Sequence, residues 1–227
     1  MQPDLSRLCK TLGYNFSDMG LLEQALTHRS ANRKENNERL EFLGDAQLSQ
    51  IISIRLYSMF AEASEGQLTR MRASLVKGQT LAVIAKEMSI GDYLSLGGGE
   101  LKSGGFRRES ILADALEAII GAVLLDGSEV ACQKMVLSWY AQRLDTISPT
   151  SVLKDPKTQL QEWLQGRQRP LPLYEVVEIT GQAPKQEFKV SCALTDADKS
   201  FTAQGSSRRR AEQRAAAAAL AELEEKK

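Results

Sequence analysis

The chain has 227 residues, of which 42% are hydrophobic and 26% charged, and its 29 basic residues balance its 29 acidic ones. This suits an ordinary globular protein with one large or two unequal domains and excludes a membrane span, because no stretch approaches ~20 uninterrupted apolar residues. The N-terminus lacks the apolar core of a signal peptide, and three widely separated cysteines imply neither a disulfide framework nor a zinc site, so we expect a cytoplasmic setting.

Helical spacing of apolar residues dominates the first two thirds of the chain, and no convincing strand pattern occurs before about residue 145. We predict helices at about 5–26 with a turn near Gly13, at 37–56, from Ser64 or Thr69 to 76, at 78–88, at 109–121 and at 128–145. The second of these has apolar residues on most sides, so we expect it to be buried. The glycine-rich stretch GGGELKSGG lacks the G-x-x-x-x-G-K-[ST] pattern and follows no strand, which rejects a P-loop and predicts a flexible connection.

The pattern changes after the segment ISPTS at 147–151, which is short, polar and typical of a linker. Beyond it we predict a helix at 156–166, strands at 174–180, 186–194 and 199–203, and a final helix to about 225. The predicted fold class is an all-α N-terminal domain joined to a small α+β domain with the order α-β-β-β-α. The domain bounds are 1–146, a linker at 147–154, and 155–227.

Two helices carry clustered carboxylates. Glu38, Glu41 and Asp45, within NERLEFLGD, fall within roughly 60–80° of one another on a helix. Asp114 and Glu117 share a face of a second apolar helix. Burying such groups is costly without a neutralising cation, and few basic residues lie nearby. Glu41, Asp45, Asp114 and Glu117 are therefore candidates to meet around one or two Mg²⁺ ions, which would suit phosphodiester hydrolysis.

The acidic residues also have a plainer interpretation. Asp and Glu usually lie on solvated helix faces, and spacing alone leaves both interpretations open. His28 is the single histidine of the chain, and a lone histidine is more often a structural residue than a catalyst. Its solitude excludes a paired-histidine acid–base system and a histidine-rich metal site.

The final helix begins with Arg208, Arg209 and Arg210, where the positive end of the helix dipole disfavours cations. Neither Ser206 nor Ser207 has Glu or Gln three residues later, so no capping box offsets the arginines. A bound phosphate would offset the charge of these arginines, because helix N-termini and arginines both favour anions. The alternative is an exposed basic turn screened by salt. Charge elsewhere in this domain is nearly balanced, so a nucleic-acid footprint would be local.

These same residues carry a family resemblance. NERLEFLGD is similar to the signature of the ribonuclease III family, and the resemblance continues in LTHRS at 26–30, GGFRRESILAD at 104–114 and Glu117. The C-terminal part resembles a double-stranded-RNA-binding domain, in DPKT and QLQE at 155–162 and in GSSRRRAE at 205–212. The match covers nearly the whole chain.

The resemblance implies an endoribonuclease that cleaves double-stranded RNA with Mg²⁺, or with Mn²⁺ as an alternative ion, and leaves 5′-phosphate and 3′-hydroxyl ends. The implied metal ligands are Glu41, Asp45, Asp114 and Glu117. Of these, Asp45 and Glu117 are the implied catalytic residues, while Glu38 and Glu65 match supporting acidic positions. Family membership also implies processing of ribosomal-RNA precursors and messenger RNA.

Family members are homodimers, which implies that Phe42 on the signature helix is a dimer contact as well as a packing residue. The implied RNA-binding residues are Thr158, Gln161, Gln165, Arg208, Arg209 and Arg210. The first three have i, i+3, i+7 spacing, which independently puts them on one polar face, and RNA duplexes are recognised across their minor grooves. Pro184 stands where many such domains carry a histidine, which puts that second groove contact in doubt.

Two competing functions remain open to test. One is an RNA-binding protein that does not cut, although a pure binder has no need of buried carboxylates. The other is a helical interaction module with a coincidental acidic face, against which the basic start of the last helix counts.

Overall fold

The computed structural model describes residues 4–150, 155–182 and 185–225. It forms two compact units divided between residues 152 and 153. The linker proposed at 147–154 stays a prediction, since 151–154 lie outside the described residues. The helices of the first unit are α1 (Leu5–Leu12), α2 (Met19–Ala25), α3 (Glu38–Met59), α4 (Glu65–Val76), α5 (Gly78–Glu87), α6 (Gly98–Lys102), α7 (Glu109–Asp126) and α8 (Glu129–Thr146).

Local capping explains where these helices begin and end. Gly13 adopts φ 77° and ends α1, which splits the predicted 5–26 helix in two; glycine takes this left-handed conformation without strain. Asp18 starts α2 by accepting a hydrogen bond from a backbone N–H. Ser64, rather than Thr69, starts α4, because its side chain forms a capping box with Gln67.

The core of the first unit is built around α7. Eleven of its residues between Ile111 and Val123 are buried, so α7 is apolar on nearly every side, as a central helix must be. The helices α3 and α5 pack against it. Trp139 and Tyr140 of α8 close the core and donate hydrogen bonds to the backbone carbonyls of Leu12 and Leu75.

The predicted burial of α3 on most sides is wrong for one face. Phe42 is 80% exposed, Tyr57 76% and Ile54 52%. Buried residues of α3, such as Leu48 and Ile52, lie on the face toward α7. Sequence periodicity counts apolar residues but cannot tell a stripe that meets the core from one that stays exposed in a single chain.

The glycine-rich stretch at 97–105 was predicted to be a flexible connection, and this prediction is wrong for part of it. Residues Gly98–Lys102 form α6, and a 3₁₀ turn follows at Gly105–Arg107. The N–H of Gly97 donates to the hydroxyl of Ser30, 2.9 Å away. This stretch is therefore tied to the segment that precedes α3.

The second unit has the predicted α-β-β-β-α order. Its elements are α9 (Pro156–Gln165), β1 (Leu173–Thr180), β2 (Glu187–Leu194), β3 (Lys199–Gly205) and α10 (Arg208–Glu225). The strands form an antiparallel sheet in the order β1-β2-β3, in which Cys192 pairs with Tyr174 on one side and Phe201 on the other. The core contains Leu160, Leu164, Cys192, Leu194 and the buried alanines of α10.

A helix must be both long and apolar to cross a membrane. None within residues 4–150, 155–182 and 185–225 combines the two well enough to cross a membrane.

Candidate active site

The two acidic clusters predicted separately meet where α3 packs on α7. Glu41 of α3 and Asp114 and Glu117 of α7 each present a carboxylate oxygen, and these oxygens lie within 4.8 Å of one another. All three side chains are partly buried. Glu38 and Asp45 were expected to be buried beside them; instead both are exposed and lie outside this group.

Burial and mutual repulsion govern the charge of the cluster. Desolvation, followed by the charges of Asp45, Glu41 and Asp114, raises the pKa of Glu117 to about 8. Desolvation likewise raises the pKa of Glu41 and of Asp114, and in Asp114 the positive charges of His28 and Arg29 partly oppose it. The cluster is thus short of positive charge.

The donor set fits a hard divalent cation. Glu41, Asp114 and Glu117 form no ion pair with any residue of the described part of the chain. Carboxylate oxygens at this spacing are what Mg²⁺ and similar ions prefer, and a bound cation would offset the unfavourable burial. These three residues are therefore able to hold a metal ion.

A cavity of about 710 Å³ opens beside Glu41 and Asp114. Its wall includes Arg29, Arg33 and Arg108, so the expectation that few basic residues lie near the acids is wrong. These arginines come from the segment before α3 and the turn before α7, which the folding of the chain brings together. The cavity thus joins an acidic wall to a basic one.

Sequence reasoning missed much of this wall. The cavity residues that were not predicted are Arg29, Ser30, Arg33, Asn36, Asn37, Glu100, Arg108, Ser110 and Ile111, and His28 was assigned no role. The motifs LTHRS and GGFRRES contain several of them, but their spacing gives no sign of a shared cavity. Asn37 is 2% exposed, and its N–H donates to the carbonyl of Thr27 at 2.9 Å. The segment before α3 is therefore packed against the rest of the unit.

The two supporting acids lie apart from each other. Glu38 lines the cavity and forms an exposed ion pair with Arg29 at 3.2 Å. Glu65 is exposed at the start of α4, where it accepts a hydrogen bond from the hydroxyl of Thr69. Among the described residues, Glu65 does not line this cavity.

In the second unit, Thr158, Gln161 and Gln165 are all exposed on α9. Their polar side chains are free to meet a ligand from one helix face. Pro184, which was expected to weaken a groove contact, lies outside the described residues.

The arginines at the start of α10 are exposed but not equivalent. Arg208 donates to Glu212 at 2.9 Å, and Glu212 also pairs with Lys157 at 2.7 Å. No ion pair of Arg209 is found within the described residues. Arg210 gives its backbone N–H to the hydroxyl of Ser207 at 3.3 Å, so a serine does cap this helix although the capping box is absent.

Comparison with known proteins matches each of the two units to a family. A ribonuclease-III-like family model matches residues 18–144, and a model of the double-stranded RNA binding motif matches residues 156–223. Ribonuclease 3 of Alcanivorax borkumensis is 64% identical over 99% of this chain and 99% of that protein. The chain belongs to the ribonuclease III family. It is therefore an endoribonuclease that acts on double-stranded RNA.

Further relatives agree with this assignment. Ribonuclease 3 of Shewanella denitrificans is 61% identical over 97% of this chain and 98% of its own length. A solved nuclease domain of ribonuclease III from Campylobacter jejuni is 40% identical, covers 61% of this chain and 97% of its own, and superposes with a TM-score of 0.60. That structure is described as showing flexibility in a region involved in dimer formation. A second structure of the same domain gives 39% identity and a TM-score of 0.61 over 64% of this chain and 99% of its own.

Proposed function

We propose that this ribonuclease III family member hydrolyses both strands of RNA duplexes with Mg²⁺, or with Mn²⁺ in its place, and leaves 5′-phosphate and 3′-hydroxyl ends. The main support is the group formed by Glu41, Asp114 and Glu117. Their carboxylate oxygens lie within 4.8 Å of one another, and no ion pair joins them to another residue within 4–150. Such a group is costly to bury in any protein that does not bind a cation.

The roles of the acids follow from their positions. Glu41, Asp114 and Glu117 would hold the cation, with Asp45, about one turn after Glu41 on α3, as a further ligand. Its charge already raises the pKa of both Glu41 and Glu117, so it lies close enough to take part. When bound there, Mg²⁺ would supply a water of lowered pKa and favourable charge for the leaving 3′-oxygen. Asp45 and Glu117 are the residues on which cleavage depends most, with Glu38 and Glu65 in support.

The second unit supplies the duplex grip. Thr158, Gln161 and Gln165 contact 2′-hydroxyls and base edges in a minor groove, as their shared exposed face allows. The arginines that bind phosphates across the adjacent major groove are Arg208, Arg209 and Arg210. Phosphate contacts position the duplex without reading its sequence.

The active form is a homodimer in which each subunit cuts one strand. The exposed apolar side chains Phe42, Ile54 and Tyr57 of α3 support this, because clustered exposed apolar groups mark association surfaces. A two-fold contact would pair this surface with its own copy. The dimer-forming region described for the Campylobacter jejuni nuclease domain points the same way.

The cellular setting we propose is cytoplasmic processing of ribosomal-RNA precursors and messenger RNA. Cys9, Cys132 and Cys192 are all free and buried, which fits a reducing compartment. The relatives that match nearly the whole chain are named Ribonuclease 3, which supports an RNA substrate.

The decisive experiment incubates the purified chain with a long RNA duplex, with Mg²⁺, with Mn²⁺ and with a chelator, and identifies the ends of any fragments. Cleavage with either ion, but not with the chelator, and phosphorylated 5′ ends are expected. The Glu117→Gln variant should bind the duplex and leave it intact. Tight binding by the unaltered chain without cleavage under any condition would favour the non-cutting RNA-binding protein instead.

A further inference from the structure

His28 lies in the cavity of the candidate active site, where its ring could contact a ligand. It is partly buried and lines the cavity beside Glu41 and Asp114. Its positive charge, when present, opposes the rise in the pKa of Asp114, so the ring lies near that carboxylate. The orientation of the ring decides what it offers to a ligand in this cavity.

The hydrogen bonds of Ser30 fix which ring nitrogen carries the proton. The backbone N–H of Ser30 donates to Nδ1 of His28 at 3.2 Å, and a backbone N–H can only donate, so Nδ1 accepts. The Ser30 hydroxyl lies 2.8 Å from the same Nδ1 and itself accepts from the N–H of Gly97 at 2.9 Å. Because Nδ1 already accepts from the backbone N–H, it carries no proton, so the hydroxyl donates its own proton to Nδ1. A neutral His28 in this setting carries its proton on Nε2.

The backbone around the ring holds this arrangement. The N–H of His28 donates to the carbonyl of Ser95 at 3.0 Å, and the N–H of Ser95 donates to the carbonyl of Leu26 at 2.9 Å. Gly97 approaches Ser30 so closely that a Cβ there would overlap the Ser30 carbonyl oxygen and lie 2.8 Å from its carbon. Only glycine fits here. The position of Ser30, and through it that of His28, is set by the fold.

The other ring nitrogen is left for a ligand. Nε2 has no hydrogen-bond partner among the described residues, so it is available to a ligand in the cavity. We propose that Nε2–H of His28 donates a hydrogen bond to a non-bridging phosphate oxygen of the RNA strand at the acidic cluster, with Ser30 and Gly97 as its positioning residues. This rests on the proposed function, because it takes an RNA phosphate as the occupant of the cavity.

The acidic side chains of the cavity explain why a donor such as Nε2–H of His28 would be useful there. A phosphodiester that approaches Glu41 and Asp114 meets negative charge, so hydrogen-bond donors that line the same cavity help to orient it. Hydrogen bonds to charged groups are stronger than neutral ones. A neutral imidazole N–H adds such a bond without placing a fixed positive charge against the metal ligands.

The first test reads the tautomer directly. His28 is the single histidine of the chain, so a protein labelled with ¹⁵N-histidine and lacking a histidine tag gives one imidazole signal set. At a pH well above the ordinary histidine range, that set should show the Nε2–H tautomer, and Ser30→Ala should produce a mixture. Adding uncleaved duplex RNA with the Glu117→Gln variant should shift Nε2 more than Nδ1. A predominant Nδ1–H tautomer would overturn the inference.

The second test replaces His28 with glutamine or asparagine, whose side-chain amides each imitate one nitrogen of the imidazole ring. In His28→Gln the side-chain amide can stand where Nε2 stands, whereas in His28→Asn it stands near Nδ1. We expect His28→Asn to slow single-turnover cleavage by about 10- to 100-fold and His28→Gln to recover most of that loss. Equal rates for the two variants would contradict the proposal, provided that their melting temperatures match.

The unaltered chain separates this inference from the function on which it rests. If it leaves RNA duplexes intact with Mg²⁺ and with Mn²⁺, the proposed function fails. If it cleaves them and both His28 variants cleave as fast, only the role of His28 fails.

Discussion

Gly44 of α3 lies directly against the backbone carbonyl of Glu117 on α7. A Cβ built on Gly44 would overlap that oxygen and would lie 2.9 Å from the nitrogen of Gly121. Gly121 faces α3 in the same way, because its Cβ would overlap the carbonyl oxygen of Leu40. Two glycines therefore let the helices approach closely enough for Glu41 to meet Asp114 and Glu117. The close contact between α3 and α7 and the acidic cluster therefore both depend on Gly44 and Gly121.

Replacing Gly44 with alanine should force α3 and α7 apart. The free energy of unfolding should fall by about 1–3 kcal/mol, since overpacking outweighs the better helix propensity of alanine. Urea denaturation measures this, and metal affinity should fall with it. The matched control is Gly98→Ala, because a Cβ at Gly98 meets nothing within 4 Å. Equal stabilities of the two variants would show that the contact tolerates a methyl group.

The metal-free chain should lose stability as the pH rises from about 4.5 to about 8. The pKa of Glu117 is raised from 4.5 to about 8 on folding, chiefly by desolvation. Between these values the folded chain binds more protons than the unfolded one, so the free energy of unfolding decreases with pH. Glu117→Gln removes this carboxyl. It should be more stable than the unaltered chain at pH 8 by about 1–2 kcal/mol, a figure discounted for partial solvent screening.

Chemical denaturation with a chelator at several pH values measures the effect. Mg²⁺ should restore stability to the unaltered chain at pH 8, since metal binding favours the deprotonated carboxylates. It should stabilise Glu117→Gln less. Parallel pH profiles for the two proteins would remove Glu117 as the source of the slope.

Truncating Phe42 should weaken the homodimer. Its side chain is 80% exposed in a single chain, and an aromatic anchor of this kind commonly contributes about 2 kcal/mol or more to an interface. Phe42→Ala should therefore raise the dissociation constant roughly 30-fold or more, as measured by sedimentation. Val130→Ala is the control, because Val130 is 74% exposed on α8. A dimer that is equally tight in both variants would place the contact elsewhere.

The arginines of α10 should differ in their share of RNA binding. Arg209→Ala should reduce the slope of log K against log salt by about 1, as loss of one phosphate contact does. Arg208→Ala should reduce it less, because Glu212 already balances part of that charge at 2.9 Å. Filter binding over a range of salt concentrations measures both. Lys134→Ala, an exposed change on α8, supplies the reference slope, and a larger effect at Arg208 than at Arg209 would reverse the assignment.

Helix and strand order followed from sequence because it depends on local periodicity. The apolar run around Asp114 indicates a helix, and the alternating pattern of 186–194 indicates a strand. Each signal lies within a short stretch of sequence. The pairing of Glu41 with Asp114 and Glu117 was also foreseen, since carboxylates in apolar helices need a shared partner. The exposure of Asp45 and Phe42 was not, because periodicity shows that a face is apolar or acidic but not what covers it.

By itself the sequence determined the two-unit order, the acidic residues, the basic helix start and the family. Tertiary structure decided which side chains share a cavity. Arg33 and Arg108 line the same cavity as Glu41 and Asp114 only because chain segments distant in sequence fold onto one another. Gly97 and Ser30 orient His28 by a contact between residues 67 positions apart. The spacing of residues along the sequence does not predict such contacts, because they depend on how closely packed helices and loops can approach one another.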